Sequence, residues 1–190
     1  MRRRDAWVVG ACDVIDHWGT TPVERGRHYP CDDVLPNPER ALYRAVTVEA
    51  SAPVVFRWLC QLKVAPYSYD LIDNLGRRSP PHLVPGVDRL VVGERVLIFE
   101  LASFVVDEHL TIGAWDHRAF GDVAISYVVV PDGPQASRLL AKVVFTPPGG
   151  VVGAVLRRVL PAGDLVMMRR QLLNLKALAE ATSSEGADAG

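Results

Sequence analysis

The chain has 190 residues, 49% of them apolar and 23% charged, with a formal net charge of −1. That length supports one sizeable core with tails, and near-neutrality removes any broad electrostatic reason to bind nucleic acid. Cys12, Cys31 and Cys60 are widely spaced, with no Cys-x-x-Cys and no Cys/His pair at zinc-ligand spacing, so they read as reduced thiols.

Met1-Arg2-Arg3-Arg4 resembles the opening of a secretory signal, but the apolar stretch Ala6 to Cys12 ends at Asp13 with no small-x-small cleavage pattern after it. The longest later apolar stretch, Val151 to Leu156, is far short of the roughly 20 residues that span a bilayer. The expectation is a cytoplasmic protein without stable membrane insertion.

Residues 1–38 carry Gly19, Pro22, Gly26, Pro30, Pro36 and Pro38 and no sustained period, which predicts an irregular N-terminal arm packed on a domain spanning 39–181. Leu42 to Glu49 is rich in β-branched residues and reads as the first strand. Ser51 then stands as an N-cap with Pro53 in the first turn, and Val54, Val55, Trp58, Leu59 and Leu62 share one helical face ending near Lys63. Pro66 to Gly76 fits a second short helix before the Pro-rich loop Arg77 to Pro85.

Between Gly93 and Pro147 the period changes to that of strands, about five of them. In Arg138 to Phe145 the residues Leu139, Ala141, Val143 and Phe145 fall on one face and Arg138 and Lys142 on the other, with Asp122 to Val130 as the hairpin partner across Pro131 to Gln135. Val151 to Leu160 reads as a short helix cut off by Pro161. Asp164 then caps a long amphipathic helix whose stripe is Leu165, Met168, Leu172, Leu175 and Ala179. Residues 182–190, rich in Ser, Gly, Asp and Ala, read as a disordered tail.

Strands and helices do not alternate, which excludes a doubly wound fold and points to an α+β domain. A curved antiparallel sheet gripping a long C-terminal helix leaves an apolar gap wherever small side chains replace large ones.

The residues Tyr43-Arg44-Ala45-Val46-Thr47-Val48-Glu49-Ala50-Ser51-Ala52-Pro53 and Val55-Phe56-Arg57-Trp58-Leu59-Cys60-Gln61-Leu62 resemble the START-like superfamily of polyketide cyclases/dehydrases and lipid carriers, also called SRPBCC. Pro66-Tyr67-Ser68-Tyr69-Asp70-Leu71-Ile72-Asp73-Asn74-Leu75-Gly76 looks like an element of one bacterial branch, and Val92-Gly93-Glu94-Arg95-Val96 like the strand entry after it. The last helix, from Asp164 to Leu173, matches in placement. The resemblance covers residues 40–181 and implies a helix-grip fold with an internal cavity for a hydrophobic ligand such as a lipid, polyketide or isoprenoid. It implies no cofactor, and it leaves open a carrier, a cyclase and an interaction module, as monomer or homodimer.

Candidate cavity-lining residues are Trp58, Tyr67, Tyr69, Phe99, Trp115, Phe120, Tyr127, Met168 and Leu172, weighed against ordinary core packing. Arg44 shares a strand face with Val46 and Val48; turned inward, its guanidinium needs a carboxylate, with Asp70 and Asp73 near in sequence, or a carboxylate or phenolate ligand. Asp70 and Asn74, four apart, with His82 in the next loop, are candidate acid/base groups for a cyclase, beside the plainer reading of a helix-surface pair.

Gly149-Gly150-x-x-Gly153 lacks dinucleotide-loop spacing, and His109 and His117 belong to no metal-ligand set. Arg157, Arg158, Arg169 and Arg170 read as a solvated face, with transient membrane contact as the sharper alternative.

Overall fold

The computed structural model describes residues 14–68, 78–117 and 120–188. Six strands form one antiparallel sheet: β1 (Arg40–Val48), β2 (Arg95–Val96), β3 (Phe99–Val105), β4 (His109–His117), β5 (Gly121–Pro131) and β6 (Ser137–Thr146). Their order is β1-β6-β5-β4-β3-β2, so β2 to β6 run as a meander and β1 closes on β6. Helices among the described residues include α1 (Pro22–Arg25), α2 (Cys31–Val34), α3 (Ala52–Cys60), which a 3-10 turn extends to Lys63, and the long α4 (Gly150–Asp188). This is the helix-grip arrangement, with the curved sheet laid over α4.

The alternation in β6 sets the core. Leu139, Ala141, Val143 and Phe145 pack inward with Leu42, Val46, Trp58, Met168 and Leu172 from β1, α3 and α4. The opposite face of β6, which carries Arg138 and Lys142 as expected, is also covered. Leu140 and Val144 are buried there with Ala45 and Ala124, beneath Tyr29 and Cys31 of the N-terminal arm.

The arm is more regular than its Gly and Pro content predicts. Thr21 and Glu24 form a reciprocal capping box around Pro22, which satisfies orphan donors and lets a single turn stand. Arg138 binds Glu24 through two nitrogens at 2.8 and 3.0 Å, the Cys31 amide donates to Ser126 Oγ at 2.8 Å, and Lys142 reaches Asp32 at 2.6 Å between the rings of Tyr29 and Tyr43. The arm thus covers the outer face of the sheet.

Two expectations about the last helix are corrected. Pro161 does not end it: α4 runs through, with Pro161 inside and buried. A proline mid-helix removes one N–H and leaves the carbonyl four residues back without its partner. That carbonyl, on Arg157, accepts from Arg40 Nη1 at 3.4 Å. Nor does the helix stop at residue 181: it continues to Asp188 through the segment read as a disordered tail, and Trp58 Nε1 donates to Thr182 Oγ1 at 3.0 Å. Most of the second short helix expected over Pro66 to Gly76 lies outside the described residues.

Candidate functional site

The apolar gap lies where the inner face of the sheet meets the first half of α4. β1, β5 and β6 contribute Leu42, Ile125 and Val143, β3 contributes Phe99, and α4 contributes Leu160 and Met167 to a cavity of 470 Å³. Beside it a space of 350 Å³ extends toward Tyr127, Met168 and Gln171. Both are bordered by Ile98, Phe99, Ile125, Asp164 and Met167, so they form two lobes that meet at Asp164 and Met167. Gly163, on α4, borders the larger lobe and has nothing within 4 Å of where a Cβ would stand.

The expected pocket residues divide. Phe99 and Phe120 line the first lobe, Phe99, Tyr127 and Met168 the second. Trp58, Tyr67 and Leu172 are buried in the packed core and border neither lobe. The Trp58 and Tyr67 rings meet edge to face at 6.1 Å, and Tyr67 donates its hydroxyl to the Pro80 carbonyl at 2.9 Å, which ties the loop to the domain. Tyr69 and the side chain of Trp115 lie outside the described residues.

The expected acid/base set does not assemble as written. Arg44 is fully buried, whereas His82 is exposed and offers only its carbonyl, which accepts from Gln61 Nε2 at 2.8 Å. Asp70, Asp73 and Asn74 lie outside the described residues. Arg44 finds its carboxylate on α4: Nη2 donates to Asp164 Oδ2 at 2.7 Å and Nη1 to the Tyr43 carbonyl at 2.8 Å, while Nε is buried without a partner. Asp164, read from sequence as a helix cap, is therefore the site's acid, its side chain 13% exposed.

Burial dominates the electrostatics of this pair. Desolvation pushes the Asp164 carboxyl up to about 6 against the opposing pull of Arg44, and desolvation likewise lowers Arg44 against the pull of Asp164. The other polar groups of the second lobe are committed. Tyr127 donates its hydroxyl to Gln171 Oε1 at 2.7 Å, and Gln171 Nε2 donates to the Pro66 carbonyl at 2.6 Å. Burial drives the Tyr127 phenol upward, so it remains a neutral donor.

Asp164 was legible on α4. Leu156, Leu160, Asp164, Met168 and Leu172 recur every four residues, one ridge of a helix, and a charged side chain on an apolar ridge signals a buried partner. Reading Pro161 as a stop placed Asp164 at a helix start and hid it.

Elsewhere, Cys31 and Cys60 are free and buried, with desolvation raising their thiols to about 11 and about 12, outside the reactive range. No metal-holding group of His, Cys, Asp and Glu occurs among the described residues, and no helix there is long and apolar enough to cross a membrane. Of the four arginines read as a basic face, Arg157 pairs with Glu39 and Arg169 lies 5.6 Å over the Trp18 ring.

No family model and no curated protein matches the chain. Solved structures do. The Zhui aromatase/cyclase from a Streptomyces species superposes with a TM-score of 0.50 at 14% identity, covering 74% of this chain and 93% of that one. A Mesorhizobium loti protein gives 0.49 at 14% identity, covering 75% and 98% of the two chains. A Chromobacterium violaceum protein gives 0.49 at 13%, covering 74% and 98%. At such identities the likeness is one of fold.

Proposed function

We propose that this chain is a START-like protein that binds and carries a hydrophobic small molecule in the gap between the sheet and α4. The observation that carries this reading is the two-lobed cavity, lined mostly by aliphatic and aromatic side chains, with Ser68, Gln171 and the ion-paired Asp164 as its few polar ones. A concave apolar site with few, placed polar groups is the usual form of a small-molecule site. Its ligand class is lipid, polyketide or isoprenoid. An interaction module is less well supported, because the arm occupies the outer sheet face that such a partner would use. The site is proposed to work in a cytoplasmic monomer or homodimer.

A cyclase/dehydratase is the second reading, favoured by the aromatase/cyclase that shares the fold and by an acid, Asp164, at the cavity wall. Native mass spectrometry of freshly purified protein, followed by organic extraction, separates the two. A carrier yields a retained apolar molecule that leaves unchanged after prolonged incubation, and a cyclase converts a supplied poly-β-ketone chain to a ring product. A clean apo mass, with no uptake from a mixed lipid and polyketide extract, overturns both.

A further inference from the structure

Asp164 is the one charged side chain that borders either lobe of the cavity among the described residues, and it borders both. Its Oδ2 is taken by Arg44, whereas Oδ1 has no hydrogen-bond partner among the described residues, and the side chain keeps 13% of its surface exposed. Arg44, by contrast, is 0% exposed and sits behind the carboxylate, out of reach of anything in either lobe.

This arrangement selects by charge. A ligand carboxylate or phosphate would meet the negative face of Asp164 with the compensating guanidinium hidden behind it. An ammonium would add a net charge to an ion pair that is already neutral as a unit. In a largely apolar site either costs more than it returns. A neutral O–H satisfies Oδ1 and adds no charge. Of the two alternatives expected for Arg44, a protein carboxylate is the one seen, on Asp164.

We propose that Asp164 is the recognition point for a hydroxyl group, alcoholic, phenolic or enolic, carried mid-way along an otherwise apolar ligand, whose two arms occupy the two lobes while Oδ1 accepts the hydroxyl's hydrogen bond. Arg44 is a positioning residue, holding Oδ2 so that Oδ1 faces the junction. The proposal rests on the ligand-cavity reading. It places the polar group in the middle of the ligand, not at its end, because Asp164 lies where the lobes meet.

Fluorescence titration at about pH 7.5 with 1-hydroxypyrene, 1-methoxypyrene and pyrene-1-carboxylic acid tests it, since the three differ only in the polar group. The wild type is expected to bind the hydroxy compound about tenfold or more tighter than the methoxy compound, the yield of one hydrogen bond to a charged acceptor, and the acid more weakly still. In Arg44→Met/Asp164→Leu, which removes both charges together and so leaves none buried alone, the hydroxy and methoxy compounds should bind equally. Equal binding of the two by the wild type, with the cavity still taking up pyrene compounds, overturns the hydroxyl anchor and leaves the cavity standing. No binding of any of them overturns the anchor together with the reading beneath it. The wild-type comparison decides even if the double variant does not fold.

Discussion

Arg40 donates from Nη1 to the main-chain oxygen of Arg157, 3.4 Å away, the acceptor that Pro161 leaves without a helical partner. The contact is long, but it meets a need that the helix cannot meet itself. The same guanidinium is held from its other side by both oxygens of Asp16, at 2.8 and 2.9 Å. β1 therefore braces α4 at its proline, and the bracing keeps Leu160 and Asp164 in register over the cavity.

A double-mutant cycle follows from this. Arg40→Met should cost about 1–2 kcal/mol in the wild type, the range for charged hydrogen bonds reduced by solvent screening of a half-exposed side chain. In a Pro161→Ala background the restored amide serves the Arg157 carbonyl, so the same change should cost measurably less, a coupling of about 0.5 kcal/mol or more. Urea unfolding of the four proteins measures it. Additive costs would mean that Arg40 acts through Asp16 alone.

The buried pair gives stability an unusual pH dependence. Asp164 has its carboxyl raised to about 6 in the fold, from an ordinary value of 3.8. The folded state therefore binds this proton more tightly than the unfolded chain, and the contribution of Asp164 is fully present below about pH 4 and lost as pH rises through about 6. Glu24 runs the other way: desolvation is its largest influence, yet the bonds from Arg138 and Thr21 together outweigh it and lower its carboxyl, so its contribution fades on acidification. The difference between wild type and Asp164→Asn isolates the first effect. Between about pH 7.5 and pH 4 it should move in favour of the wild type by on the order of 2 kcal/mol. Movement in the opposite direction would mean that the attraction of Arg44 outweighs the desolvation of Asp164.

The sheet and its long helix were readable because their periods are strong. On β6 Leu139, Ala141, Val143 and Phe145 recur at every second position, and Met168, Leu172, Leu175 and Ala179 hold a helical stripe. Three features escaped for physical reasons. Pro161 reads locally as a stop, and the donor that serves the carbonyl it frees is on Arg40, more than a hundred positions away. Outward positions such as Leu140 and Val144 are buried only because the arm folds back over them, a tertiary contact with no period of its own. Trp58 and Tyr67 are aromatic in the way that pocket residues are aromatic, and composition alone does not tell a cavity wall from a packed core. The Thr21–Glu24 capping box, in contrast, was written in the sequence beneath a scatter of prolines.

The attachment of the arm is testable at one glycine. Gly19 has φ +75°, and a Cβ there would stand 2.2 Å from the Ala45 carbonyl oxygen, because the Ala45 amide donates to the neighbouring Trp18 carbonyl and draws the two backbones together. Gly19→Ala should cost about 2–3 kcal/mol or more, combining left-handed strain with a backbone clash. Gly133, at φ +106° with nothing within 4 Å, supplies the control: Gly133→Ala carries the strain without the clash and should cost less. Thermal unfolding of both variants checks the ranking. An equal cost would mean that the arm shifts aside and is not fixed on β1.

Gly163 separates stability from binding. It lies inside α4, borders the larger lobe, and its missing Cβ faces open space, with no left-handed dihedral to punish a side chain. Glycine within a helix costs about 1 kcal/mol relative to alanine, so Gly163→Ala should raise stability by a sizeable fraction of that while leaving room for a ligand. Gly163→Leu gains similarly from helix propensity but extends a branched chain into the 470 Å³ lobe. It should therefore melt at or above the wild-type temperature while losing about tenfold or more in affinity for an apolar probe such as 1-hydroxypyrene, because the lobe it fills can no longer bury the ligand. Had selection acted on stability alone, a larger residue would serve better at this position. A stabilised Gly163→Leu that still binds at wild-type strength would place the ligand in the smaller lobe, toward Tyr127 and Met168.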